Sequence, residues 1–177
     1  MSDKISLRCF IDADEPFLRR LTVDPDALGP FVWAGFVDAR SRRRRWETDG
    51  YVGAQSTALA VVGPDDVVIG IVSWEARTRG GPIGGCYEIG CALLPEHRGN
   101  GWGTLAQRML ITYLFQYTLA NRLEAQTDAA NIAEQRALER IGFRREGVLR
   151  QGRFRHGFWQ DMLIYGLLRA EIPDPLQ

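Results

Sequence analysis

One stretch constrains this chain more than any other: Glu88-Ile89-Gly90-Cys91-Ala92-Leu93-Leu94-Pro95-Glu96-His97-Arg98-Gly99-Asn100-Gly101-Trp102-Gly103-Thr104. A short apolar strand runs into Pro95, which cannot donate to a ladder and stops it. A glycine-rich loop follows, and then a long helix. Glycine lets the backbone take positive φ and approach a ligand closely. The first turn of a helix presents N–H groups and the positive end of its dipole. The stretch therefore reads as a phosphate or pyrophosphate seat between a strand and a helix.

Two well-known phosphate loops do not fit. A triphosphate loop needs Lys-Ser/Thr directly after its last glycine, and here Gly103 is followed by Thr104-Leu105. A dinucleotide fingerprint needs Gly-x-Gly-x-x-Gly at the opening of a βαβ unit, with an acidic residue about 20 positions on. Here the spacing is Gly99-x-Gly101-x-Gly103, a long region precedes it, and Glu124 fits the acidic position only by stretching the distance.

Composition narrows the partners. The chain has 177 residues with Lys+Arg and Asp+Glu at 22 each, so its net charge is zero. A dominant polyanion partner such as nucleic acid is disfavoured by that balance. Accordingly the run Arg42-Arg43-Arg44-Arg45 reads as a solvated helix face rather than a phosphate contact. Cys9, Cys86 and Cys91 have neither metal-ligand nor disulfide-framework spacing, and Cys86 and Cys91 read as packed thiols. Met1-Ser2-Asp3-Lys4 opens no apolar run, so no signal peptide is expected. No run approaches the roughly 18 apolar residues of a membrane span. A cytoplasmic, reducing setting is the expectation.

Taken in order, Ile5–Ile11 reads as a strand, and Asp12–Pro16 as a capped helix start with the helix continuing to Leu21. Asp24-Pro25-Asp26 and Gly29-Pro30 are turn signals. Phe31–Val37 is aromatic-rich and fits no element; its Trp33 and Phe36 are either core or the wall of a substrate pocket. A helix is expected through Arg45 and Trp46. Thr57–Val62 and Val67–Trp74 read as a hairpin around Gly63–Asp66. Thr78–Gly85 is a loop and Tyr87–Leu94 a strand. A helix over 101–119 carries an apolar stripe of Leu105, Met109, Ile111, Leu114 and Phe115. Then come a strand over Arg122–Thr127, a helix from Asp128–Asn131 to Ile141 ended by Gly142, and strands over Phe143–Arg155 and Phe158–Leu168. The expected architecture is a single mixed α/β domain over 1–177, with a strand–helix–strand crossover in its middle and a loose tail over 170–177.

Arg98-Gly99-Asn100-Gly101-Trp102-Gly103 resembles the Arg/Gln-x-x-Gly-x-Gly/Ala acyl-CoA loop of the GNAT superfamily of N-acetyltransferases. Asn131 followed by Ala137–Phe143, Glu146–Arg150, and the closing Gly157-Phe158-Trp159-Gln160-Asp161 are similar to the ribosomal-protein alanine acetyltransferase (RimJ/RimL-like) branch. The resemblance implies a GNAT fold: a central, mostly antiparallel twisted sheet with a splayed parallel strand pair, flanked by helices. It implies acetyl-CoA as co-substrate. Backbone groups of Ala92, Leu93 and Leu94 would pair with the pantetheine. Amides of Arg98, Gly99, Asn100, Gly101, Trp102, Gly103 and Thr104 would hold the pyrophosphate. Asn131 would contact the pantetheine arm, besides capping its helix.

The implied reaction is direct attack of a primary amine on the thioester in a ternary complex. It needs the reactants in line, a route for the amine proton and a donor for the departing thiolate. Here the chain departs from its relatives. The family's tyrosine acid falls at Leu138, and the branch's serine falls at Glu134. Glu134 and Leu138 share a helix face, so Glu134 reads as the acid if burial raises its pKa, or else as an exposed ion-pairing carboxylate. Glu88 is the first choice of base, with a structural acceptor as the rival reading. Asp128, His97 and His156 follow, and ordered water is the alternative to all of them. The acceptor is a small-molecule or protein N-terminal amine reached across Trp33 and Phe36, and a homodimer is among the open oligomeric states. A non-catalytic acyl-CoA-binding module is the competing function.

Overall fold

The computed structural model describes residues 5–33 and 35–172. Among them the strands are β1 (Ser6–Arg8), β2 (Ser56–Val62), β3 (Val68–Ala76), β4 (Cys86–Leu93), β5 (Arg122–Asp128), β6 (Arg144–Arg155) and β7 (Phe158–Leu168). They are hydrogen-bonded in the order β1-β2-β3-β4-β5-β7-β6. The helices are α1 (Glu15–Val23), α2 (Pro25–Leu28), α3 (Ser41–Asp49), α4 (Trp102–Tyr117) and α5 (Ile132–Ile141). β1–β2, β5–β7 and β6–β7 are antiparallel, and β4–β5 is parallel. This is the mixed α/β class with a parallel pair that the sequence implies.

The chain forms two compact units. One runs to Trp74 and takes up Cys91–Ala106; the other combines Glu75–Gly90 with the chain from Gln107 onward.

In the first unit, Asp14 takes two donors from Arg8 (2.6 and 3.0 Å) and the Ile11 N–H (2.9 Å). That knot bends the chain out of the strand, which is why β1 stops at Arg8 rather than reaching Ile11. α1 then buries Phe17, Leu18 and Leu21 against Phe10, Tyr51, Ala58, Ala60, Val62 and Leu94. Each such apolar side chain stabilises the fold by about 1.5–3 kcal/mol. The expected Asp24-Pro25-Asp26 turn is instead a cap: Asp24 accepts the Asp26 N–H (3.0 Å) and opens α2. α3 carries the arginine run. Arg43 pairs with Glu47 (2.8 Å), Arg44 with Asp38 (2.5 Å), and Arg45 donates to Ser56 (2.9 Å). The run is a paired surface face.

In the second unit, β5 buries Leu123 and Ala125 and lies between β4 and β7 in the strand order, while β6 ends it. Asn131 caps α5 by accepting the Glu134 N–H (3.3 Å), and Gly142, at φ +115°, closes it with an N–H to Leu138 O (3.1 Å). The start of the loose tail expected over 170–177 is ordered: Arg169–Glu171 is a 3-10 turn, and Arg169 donates to Ala120 O (2.7 Å). The rest of that expectation, with Pro173 and Pro175, lies outside the described residues.

α4 departs from its expected stripe. Ala106, Leu110 and Leu114, with Ile111 and Phe115, are buried, while Leu105 is 41% exposed. The buried row starts one residue later than the apolar pattern suggests, and it includes the polar Gln107. No helix among the described residues is long and apolar enough to cross a membrane.

Candidate active site

The glycine loop takes the shape that its sequence requires. Pro95–His97 make a 3-10 turn, Gly99 and Gly101 sit at φ +84° and +78°, and α4 begins at Trp102. Leu105 donates to Gly101 O (3.1 Å). The N–H groups of Trp102, Gly103 and Thr104 come before it and have no intrahelical acceptor. A Cβ built on Gly99 or Gly101 meets nothing within 4 Å, so the loop faces open space on that side. His97 packs its ring on Trp102 at 5.9 Å. The positive-φ turn and the helix start that the spacing predicts are both present.

Arg98 is the correction here. Its N–H is bonded to Pro95 O (3.2 Å), so it does not join the free amides. Its guanidinium turns inward, donating from Nε to Leu93 O (2.8 Å) and from Nη2 to Ala27 O (3.0 Å), and it packs over Gly29. Partial burial pulls it below the usual arginine range, yet it remains a cation beneath the loop. Leu94 is a second correction. Its N–H is bonded to Ile69 O (2.9 Å) and its carbonyl accepts the His97 N–H (3.0 Å). Both of its groups are spent on holding the turn, which takes Leu94 out of the strand-like pairing expected of Ala92, Leu93 and Leu94. Gly70 makes room for that backbone, since a Cβ there would stand 2.6 Å from Ala92 O.

In the second unit, Glu88 is half-buried on β4, opposite Glu124 in the parallel register. Arg77 donates to its Oε2 from Nε (3.1 Å) and Nη2 (2.9 Å), and Gln126 Nε2 donates to the same oxygen (3.0 Å). Among the described residues, no hydrogen bond engages Oε1. Glu88 is thus a fixed carboxylate with one committed oxygen. Its in-register neighbour Glu124 is buried and paired with Arg79 (3.0 Å) and Arg122 (2.8 Å), which makes it structural.

Glu134 sits in the first turn of α5. Burial pushes its carboxyl above the ordinary 4.5, with the nearby Gln107 amide pulling in the opposite direction. A carboxyl shifted in this direction holds its proton to higher pH than an exposed, ion-paired one would. The sign of the linkage follows. The stability tied to Glu134 is fully present below the ordinary carboxylate value and is lost as pH rises through the raised value. Glu134→Gln should therefore gain stability relative to the parent as pH rises across that window, as read by urea melts at stepped pH. A constant difference would show that Glu134 titrates normally. Leu138 is fully buried on the same helix and supplies no proton.

The other sequence candidates fall away from proton transfer. Asp128 is buried in an ion pair with Arg155 (3.2 Å) and accepts the Ala130 N–H (2.9 Å), so its oxygens are committed to structure. His97 belongs to the phosphate loop, and His156 sits at φ +50° in the β6–β7 turn. Trp33 and Phe36 pack edge-to-face at 5.4 Å, with Phe36 88% exposed. They form a surface aromatic pair rather than core. Two residues escaped the sequence reading: Gln126, which donates to Glu88, and Gln107, which is buried on α4 with its Nε2 unpartnered among the described residues. Alternation along β5 could have found Gln126, two positions from Glu124. Gln107 could have been found from its spacing with Ile111 and Leu114.

The family described as an acetyltransferase (GNAT) domain matches residues 4–144. The uncharacterised N-acetyltransferase p20 of Bacillus licheniformis is 33% identical over 173 residues, covering 96% of each chain. In other curated relatives the matched stretch spans about half of the protein, 58% of one and 46% of another. Among solved structures, spermidine N-acetyltransferase from Vibrio cholerae in complex with CoA and spermine shares the fold at a TM-score of 0.85 and 18% identity, over 99% of this chain and 100% of that one. RimJ of Mycobacterium smegmatis in complex with CoA-disulfide shares it at 0.78 and 22%, over 96% and 84%.

Proposed function

This chain belongs to the acetyltransferase (GNAT) family, and from that premise we propose that it transfers the acetyl group of acetyl-CoA to a primary amine. The observation that carries the reading is the Gly99–Thr104 turn, in which Gly99 and Gly101 hold positive φ beside open space and lead directly into the start of α4. That arrangement suits the pyrophosphate of CoA. The amine attacks the thioester carbon directly, the C–S bond breaks, and coenzyme A leaves as the thiol.

Two carboxyl groups divide the proton work. Glu88, held through Oε2 by Arg77 and Gln126, offers Oε1 to the amine proton, directly or through water. Glu134, whose carboxyl burial pushes above the ordinary range, gives its proton to the departing sulfur. The acceptor is a small-molecule or peptide amine whose apolar part rests on Trp33 and Phe36. The V. cholerae neighbour is named for spermidine, which supports the small-molecule class. Cys9, Cys86 and Cys91 form no disulfide among the described residues, which suits a reducing cytoplasm.

Glu88→Gln should lower turnover about 100-fold, within the usual range for loss of a general base, while acetyl-CoA affinity stays put. Equal rates across pH in the two proteins would take Glu88 out of the chemistry. The buried Leu138, where relatives carry a proton donor, favours one rival: an acyl-CoA-binding module without turnover. Thiol release from acetyl-CoA, screened by mass spectrometry over a panel of amines and N-terminal peptides, decides between them. Tight CoA binding with no acetylated product on any amine supports the module.

A further inference from the structure

Glu88 lies opposite Glu124 in the parallel register, and Gln126 is two positions beyond Glu124, so the three side chains stand on one face of the strand pair. Gln126 Nε2 donates to Glu88 Oε2 (3.0 Å). An ionised carboxylate only accepts, so the amide must turn its nitrogen toward Glu88 and keep its oxygen as an acceptor. Among the described residues no hydrogen bond engages that oxygen or Glu88 Oε1. The neighbouring carboxylates are balanced. Glu124 and Glu146 share Arg79 and Arg122, and Asp128 is paired with Arg155. Arg77, by contrast, serves two carboxylates, Glu88 (2.9 Å) and Glu75 (3.4 Å). One negative charge is left over there, beside two unengaged acceptor oxygens.

We propose that Gln126 is a specificity-determining residue for the acceptor: together with Glu88 it receives one primary ammonium, so the site takes amines of single positive charge in preference to polyamines. The proposal rests on the reading of Glu88 as the base. An ammonium group has three donors. Glu88 Oε1 accepts one and the Gln126 oxygen another, so the nitrogen is held when Glu88 takes its proton. In that step an N–H bond breaks, an O–H bond forms on Glu88, and the neutral amine gains the lone pair that attacks the thioester carbon. The positive charge on nitrogen and the negative charge on Glu88 disappear together. A polyamine brings further ammonium groups. The other carboxylates of this face, Glu124 and Asp128, are already held by arginines, whose like charge repels them.

Two matched sets of acceptors test this: butylamine against 1,4-diaminobutane and spermidine, and Ala-Ala-Ala amide against Ala-Lys-Lys amide. In the parent protein kcat/KM should favour the singly charged member of a set by about tenfold. Gln126→Met keeps the side-chain length and removes the amide, and the amine KM should rise about tenfold, the loss of one charge-assisted hydrogen bond, with the acetyl-CoA KM unchanged. Gln126→Glu keeps the shape and adds a second carboxylate, and it should move the preference about tenfold toward the polycations. Polycations turned over as well as the single amines by the parent, or a preference that Gln126→Glu leaves unmoved, would overturn the proposal. If Glu88→Gln keeps the full rate, or no amine of either set is acetylated, the underlying reading fails and takes this one with it. If Glu88→Gln is slow while Gln126→Met leaves the amine KM unchanged, Gln126 alone is removed. Should Gln126→Met fold poorly, Gln126→Leu carries the same KM test.

Discussion

Gly101→Val should weaken acetyl-CoA binding by roughly 100-fold, about 2.7 kcal/mol, while the protein stays folded. Residue 101 is at φ +78°, a region that costs an L side chain about 1–2 kcal/mol, and more for one branched at Cβ. The space beside it is open, so the added methyl groups strike no protein atom. They occupy the face on which the pyrophosphate is proposed to lie. Isothermal calorimetry with acetyl-CoA measures the loss, and a thermal melt reports the modest backbone strain. Wild-type affinity in this variant would refute the assignment of the loop.

The largest effect on stability belongs to Asp128. Its ion pair with Arg155 has both side chains about 95% out of solvent, at 5% and 4% exposure. Arg155 Nε is buried without a partner even in the intact protein. Asp128→Ala strands that cation and also strips the Ala130 N–H of its acceptor. Breaking a buried pair from one side costs about 3–5 kcal/mol, a large part of the 5–15 kcal/mol that holds a typical domain together. Urea denaturation should show the midpoint falling accordingly. Adding Arg155→Met to Asp128→Ala should return much of the loss, since the stranded charge is then gone. A double variant no more stable than Asp128→Ala would mean that the cost comes from the lost backbone cap instead.

The sequence was most readable where chain chemistry leaves few options. Pro95 ends a strand, positive-φ glycines lead into α4, and Asn131 and Gly142 cap the two ends of α5. Each of those features follows from residues a few positions apart. The less legible parts depend on contacts between residues distant in sequence. Arg98 looks like a phosphate ligand until its guanidinium is found on Ala27, 71 positions away. Asp128 is a plausible base until Arg155 is found beside it, 27 positions on. The shifted stripe of α4 has the same origin. Apolar spacing places Leu105 inside, and only the packed fold shows that Gln107 takes the buried position instead.

The inward turn of Arg98 also bears on how a ligand is met. Its two hydrogen bonds tie the turn after β4 to the end of that strand and to α2, so the loop receives its shape when the first unit folds. A loop left slack would have to be ordered by each arriving ligand, and part of the binding energy would be consumed in doing so. Here that ordering is already complete. For the pyrophosphate seat proposed above, this predicts acetyl-CoA capture in a single kinetic phase, limited by encounter rather than by rearrangement, as read by stopped-flow mixing.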